Sequence, residues 1–223
     1  MFVVRRYEPK DRAAVRGICC ETALMGEPAS AFFDDNEVLA DALTGYYTDY
    51  EPGSSFVAED GGRIVGYLIG SLDIEKMEKI FAARIAAPLL AKAIRRGVFL
   101  NRKSSRFIFN ILAGMATGEF SAPRFRKDYP ATLHINILKE HRRAGIGRML
   151  VGAYLDHLRS YGAAGVHFAT MSEKAGEFFS SIGFRLLHQG RRSYFRHLLG
   201  RVCPVYIYGM KRDEICRLLD GES

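Results

Sequence analysis

The sequence predicts an α/β protein with a mixed, mostly antiparallel central sheet, helices on both of its faces, and a helical insertion. Three observations carry this. Residues 55–70 hold two β-rich runs joined by Asp60-Gly61-Gly62, a hairpin pattern. Residues 132–161 pass from a β-branched run, through a short arginine–glycine turn, into a helically periodic segment. Between the two, residues 74–122 repeat their apolar positions at helical spacing. A chain of 223 residues fits one domain over 1–223.

Taken in order, residues 2–7 alternate as a first strand. Asp11 is placed to cap a helix through about Leu24. Asn36 is placed to cap a second over 37–50, where Val38, Leu39, Ala42, Leu43 and Tyr46 recur helically. Glu51-Pro52-Gly53-Ser54 marks a loop before the hairpin strands, 55–59 and 63–70. Within the insertion, Met77, Ile80, Phe81 and Ile85 suggest one helix. Pro88 suits the first turn of another that Gly97 ends, and Phe107, Ile108, Ile111 and Leu112 suggest a third. Residues 132–138 read as the next strand. The helix that follows places Leu150, Val151, Tyr154, Leu155 and Leu158 on one stripe, with Arg148, Asp156 and Arg159 outside it. His141 and His157 read as solvent-exposed, on the loop and on the helix.

Bulk properties narrow the function classes. Apolar residues make up 48% and charged ones 26%, as in ordinary globular proteins, so neither a disordered nor a fibrous chain is indicated. No apolar run approaches membrane-spanning length, and no membrane partner is expected. Residues 1–7 lack the apolar core of a signal peptide, which makes the cytoplasm the expected location. Cys19, Cys20, Cys203 and Cys216 have no metal-ligand spacing, and adjacent Cys19 and Cys20 are a poor disulfide pair. No metal is expected.

Arg142-Arg143-Ala144-Gly145-Ile146-Gly147 carries the chemistry. A strand, a basic glycine turn and a helix in that order form an anion cradle. Glycine lets backbone N–H groups converge on one phosphate, the helix terminus adds partial positive charge, and arginine adds bidentate donors. A pyrophosphate fits. No Gly-Lys-Ser/Thr follows the glycines and Gly-x-Gly-x-x-Gly is absent, which disfavours the two common nucleotide loops.

Arg-x-x-Gly-x-Gly after a strand, with Gly162 closing the helix, resembles the acyl-CoA signature of the GNAT superfamily of N-acetyltransferases. Val166-His167-Phe168-Ala169-Thr170, and then residues 174–184 ending in Gly183-Phe184, resemble the strand, helix and Gly-Phe turn that follow it there. The segment 129–136 and the tail 205–210 look like bacterial relatives of the acetyltransferase-like domain of O-GlcNAcase. The resemblance implies a GNAT-like βααβββ opening, acetyl-CoA as cosubstrate, and a primary amine as acceptor that attacks the thioester directly. It implies that the strand splays near the cofactor, that backbone groups around Ile137, Leu138 and Lys139 pair with the pantetheine arm, and that Arg142, Arg143, Ala144, Gly145, Ile146, Gly147 and Arg148 hold the pyrophosphate. Compact relatives join the flanking strands by a short connection, so the insertion reads as a lid over the acceptor pocket; a packing adornment or a homodimer surface would show the same stripes.

Acetyl transfer to an amine needs positioning, a donor for the charge developing on the thioester oxygen, and a base for the ammonium proton. His134 and Asn136 share one strand face, two residues apart, as candidate base and orienter; a hydrogen-bonded structural pair is the alternative. Two departures from the family stand out. Phe179 occupies the place where a tyrosine protonates the departing thiolate, and phenylalanine has no proton to give. Ser172 stands where a cofactor-contacting asparagine is common.

The alternative to an enzyme is a non-catalytic acyl-CoA-binding or protein-interaction module. A net charge of +7 raises nucleic acid as a partner, but the arginines are scattered and the three phosphates of CoA themselves call for cations. The acceptor is open among polyamine, aminoglycoside, amino sugar, peptide N-terminus and protein lysine. Arg102, Lys103, Arg106, Arg124, Arg126 and Lys127 fit an acceptor with acidic groups, or a solvated face.

Overall fold

The computed structural model describes residues 2–121, 123 and 125–221; Arg124 and the last residue of the expected insertion, Ala122, lie outside them. Seven strands form one sheet in the order β1-β2-β3-β4-β5-β7-β6. Along the chain these are β1 (Phe2–Arg6), β2 (Ser55–Asp60), β3 (Arg63–Ser71), β4 (Ala131–Ile137), β5 (Gly165–Thr170), β6 (Arg185–Arg192) and β7 (Cys203–Lys211). Every neighbouring pair is antiparallel except β4 and β5. The mixed sheet is therefore as the sequence predicts.

The helices are α1 (Arg12–Thr22), α2 (Asn36–Asp49), α3 (Ile74–Ile80), α4 (Ala86–Arg95), α5 (Arg102–Ala116), α6 (Ile146–Ser160), α7 (Glu173–Ser180), α8 (Arg196–Leu199) and α9 (Arg212–Asp220). Asp35, one residue before the expected Asn36, caps α2: its Oδ1 accepts from the Val38 N–H at 2.9 Å. Asp11 precedes α1 but spends its carboxylate on Arg5, at 2.7 and 2.9 Å, and on the Glu8 N–H. A π-helical turn, Phe81–Ile85, joins α3 to α4, and Gly97, left-handed at φ 68°, ends the α4 segment as expected.

Two apolar clusters organise the chain. The first joins the sheet to α1, α7, α9 and α6; the Leu150, Val151, Tyr154, Leu155 and Leu158 side chains of α6 are fully buried in it. Tyr154 donates to the Ser71 and Thr132 carbonyls at 3.1 and 2.7 Å, which fixes α6 against the ends of β3 and β4. His157, expected on the solvent side of α6, is buried, with Nε2 3.1 Å from Ser54 Oγ. A polar side chain on the edge of the stripe is covered here by the loop before β2.

The second cluster joins Phe32 and Phe33 of the α1–α2 connection to Ala93 of α4, Phe107 of α5 and Phe195 before α8. The insertion thus packs on α2, on the connection before it and on the β6–β7 connection. Ion pairs fasten it: Lys92 to Asp41 at 2.5 Å, Arg96 to Asp35 at 2.5 Å, and Lys103 to Asp34.

Candidate active site

The parallel neighbours β4 and β5 pair only at their starts, Ala131 with Val166 and Thr132 with His167. Beyond Thr132 they diverge, and the wedge between them opens toward their C-terminal ends. On its other side β4 stays paired with β3 through Ile137. The remaining backbone groups of residues 133–136 therefore face the wedge.

The turn after β4 leads into α6. Gly145 is left-handed at φ 81°, and so is Arg143 at φ 67°. The first helical bond runs from the Met149 N–H to the Gly145 carbonyl at 3.2 Å. Among the described residues, nothing accepts from the amides of residues 143–148, the row of donors that a helix start leaves free. Space around Gly145 is open, whereas a Cβ on Gly147 would lie 2.9 Å from Phe178 Cζ and 3.6 Å from Ile137 Cδ1. Strand, glycine turn and helix follow one another here, with Phe178 of α7 and Ile137 of β4 packed behind the turn.

Two details differ from the sequence reading. The Arg142 guanidinium, expected on the pyrophosphate, donates to the Gly26 carbonyl at 2.9 Å and to the Ile137 carbonyl at 3.1 Å. It ties the α1–α2 connection to the end of β4, because two unsatisfied carbonyls lie within its reach. The backbone groups expected to be free at Ile137, Leu138 and Lys139 are mostly engaged: Leu138 N–H donates to Val65, Leu138 C=O accepts from His141, and Lys139 C=O accepts weakly from Arg142. The free edge begins earlier, at residues 133–136. Arg143 and Ala144 are exposed in the turn, and Arg148 reaches Ser181 Oγ at 2.9 Å. Lys139 pairs with Glu27 at 3.1 Å.

His134 and Asn136 lie together on the β4 face that looks toward α1. The Asn136 amide nitrogen is 3.2 Å from His134 Nε2 and donates to Tyr67 Oη at 2.8 Å. Tyr67, the register partner of Asn136 on β3, is fully buried beside Cys19 of α1, and burial raises the pKa of both groups, that of the thiol to about 11. His134 is solvent-accessible but has protein around much of its ring, and that desolvation lowers its pKa below 6.5. A neutral imidazole on the splayed strand is suited to accept a proton. Sequence reasoning missed Tyr67; its only signal is the strand alternation it shares with Val65 and Ile69.

Phe179 is buried, its ring 4.0 Å from that of Phe168 and 5.2 Å from that of Phe184. Phe178, not Phe179, faces the start of α6. Ser172 caps α7 through the Ala175 N–H at 3.3 Å. Of the tyrosines near α7, Tyr208 Oη lies against Gly176 and Tyr206 donates to Glu173 at 3.2 Å, while Tyr194 contacts Met171 Sδ at 3.6 Å. His141 is half-buried, 3.7 Å from Asp60. No group of metal-ligating side chains occurs among the described residues.

The pattern of the Acetyltransferase (GNAT) family matches residues 23–184. Among solved structures, that of SsHAT is similar at a TM-score of 0.72 and 27% identity, covering 95% of this chain and 98% of that one. A polyamine N-acetyltransferase of Drosophila melanogaster, which catalyses formation of N-acetylagmatine, is similar at a TM-score of 0.61 and 18% identity, over 95% and 100% of the two chains. YncA, a putative acetyltransferase from Salmonella typhimurium solved with acetyl-CoA, is similar at 0.56 and 16%, over 96% and 95%.

Proposed function

The chain belongs to the Acetyltransferase (GNAT) family, and from that premise we propose that it transfers an acetyl group from acetyl-CoA directly to a primary amine. The observation that carries this is the wedge: a splayed β4 edge running into six unpartnered amides at the start of α6. Those amides and the exposed Arg143 suit a pyrophosphate, and residues 133–136 suit the amide-bearing arm of the cofactor. Ala144, Gly145, Ile146, Gly147 and Arg148 take part through their backbone. Ile137 and Leu138 support the cradle from beneath, and Arg142 holds its base. Acetyl-CoA supplies an activated thioester, so the protein's task is to position the amine and to move protons.

His134 is the proposed base. With the Asn136 nitrogen directed at Nε2, the neutral ring carries its proton on Nδ1. Turning the amide over lets Oδ1 accept from both Nε2–H and the Tyr67 hydroxyl, and leaves Nδ1 as the basic atom. Asn136 and Tyr67 are positioning residues in this scheme. The amine acceptor is supported by agmatine acetylation in the fly enzyme; the location proposed is the cytoplasm. Release of CoA thiol from acetyl-CoA across a panel of polyamines, amino sugars and peptides tests the reading, and CoA binding without turnover on any of them rejects it.

Phe179 favours one other reading. Its ring is locked in the core where the family places a tyrosine, and segments 129–136 and 205–210 resemble the O-GlcNAcase-associated domain. That reading is a CoA-binding module without turnover.

A further inference from the structure

One segment of this protein is cationic throughout and rich in exposed apolar side chains. Residues 79–118 carry eight Lys and Arg and no Asp or Glu, while the remaining 24 cations and 25 anions nearly cancel. Three of the eight are paired with Asp41, Asp35 and Asp34. Among the described residues the other five, Arg84, Arg95, Arg102 and Arg106 with Lys79, have no acidic partner. All five are exposed.

The same segment exposes large apolar side chains. Leu100 is 92% exposed and Phe99 43%, on the turn between α4 and α5; Ile94 reaches 63% on α4, and Phe109 69% on α5. Burial does not claim these residues, because α4 and α5 already turn Ala93, Leu89, Phe107 and Ile111 toward the second apolar cluster. Their opposite faces look away from it. Arg95, Arg96 and Arg102 flank the Phe99–Leu100 tip in sequence.

We propose that the insertion is a docking surface for an anionic lipid bilayer, with Phe99 and Leu100 entering the headgroup region and the unpaired arginines meeting lipid phosphates. Apolar tips beside unpaired cations are the chemistry of an interfacial contact. A second copy fits poorly, because a two-fold contact would oppose this cationic face to itself. Nucleic acid explains the arginines but not the exposed aliphatic side chains of Leu100 and Ile94. Such a contact lies on the membrane and does not span it; no helix among the described residues is long and apolar enough to cross one.

Cosedimentation of the purified protein with phosphatidylcholine vesicles, with and without phosphatidylglycerol, tests this. Binding is expected only with the anionic lipid, weakened by salt and by about fivefold for each of Arg95→Gln, Arg102→Gln and Arg106→Gln. Phe99→Ser with Leu100→Ser should abolish binding while CoA affinity and the thermal transition stay at wild-type values; all five positions are exposed, so folding is preserved. Absence of binding to anionic vesicles at low salt overturns the proposal. So does binding that ignores the Phe99 and Leu100 changes, which is plain electrostatic adsorption, and so does a concentration-dependent dimer that those changes dissolve. Tighter binding to duplex DNA than to anionic vesicles overturns it as well.

Discussion

Phe178 sets the approach of Gly147: a Cβ on the glycine would come within 2.9 Å of the ring. The two glycines of the turn are therefore required for different reasons. Gly145 has open space but a left-handed backbone, where an L side chain costs about 1–2 kcal/mol. Gly147→Ala should lower Tm, and adding Phe178→Leu should restore most of the loss. Phe178→Leu should not rescue Gly145→Ala, and rescue of both would show that the strain is shared. By calorimetry, Gly145→Val and Gly147→Val should lose CoA affinity; equal affinity in both variants and wild type rejects the cradle.

His134→Ala is expected to lower kcat by about 10²–10⁴-fold with little change in CoA affinity. A base must be unprotonated, so the rate should rise with pH and level off above the His134 pKa. Desolvation places that midpoint below 6.5. An unchanged acid limb in His134→Ala would assign the base elsewhere. Asn136→Ala should raise the KM for the acceptor.

Stability should fall in acid for a related reason. His157 and His167 have pKa values lowered chiefly by burial, with Arg6 adding to the effect at His157. As pH drops below 6.5, the unfolded chain takes up these protons before the folded one does. The stabilisation is thus complete above 6.5 and lost as pH falls through the folded values. Denaturant titrations at several pH values check this, and His157→Gln should flatten the dependence. An equally steep curve in that variant would exclude His157 as a contributor.

Arg142→Ala should destabilise the protein by about 1.5–3 kcal/mol, because it removes charge-assisted bonds to the Gly26 and Ile137 carbonyls. CoA affinity per folded molecule should stay near wild type, whereas Arg143→Ala should weaken it. The reverse order by calorimetry would mean that the Arg142 guanidinium leaves its carbonyls to bind phosphate.

Phe179→Tyr would bury a hydroxyl among the rings of Phe168 and Phe184. An unpartnered hydroxyl there costs about 1–3 kcal/mol, so Tm should drop and turnover should not rise. Increased turnover would show that the ring reaches the thiol. Tyr208→Phe, removing the hydroxyl that lies against α7, is the companion measurement: loss of turnover with retained CoA binding would identify it as the acid.

Local patterns announced most of this architecture. The α6 stripe, the glycine hairpin and the arginine–glycine turn are each determined within a short window, and each was legible. Asp35 and Asn36 compete as caps in adjacent positions, and only the path of the preceding loop decides between them. His157 looks polar in one dimension but is covered by Ser54, a residue distant in sequence. The Asn136–Tyr67 bond depends on strand register, and the Arg142–Gly26 tie depends on where an irregular connection passes. Those are long-range outcomes that periodicity does not encode.

The division of the interior into two apolar clusters implies two cooperative units with separate opening free energies. Amides of α6 and of the β3–β4 pair should exchange with solvent only on global unfolding. Those of α4, α5 and the α1–α2 connection are held by a smaller cluster and three ion pairs, and should exchange earlier and faster at high ionic strength. The half proposed to hold the CoA phosphates can then stay rigid while the half built on the insertion breathes. Residence of the donor and entry of the acceptor become separately tunable by substitution.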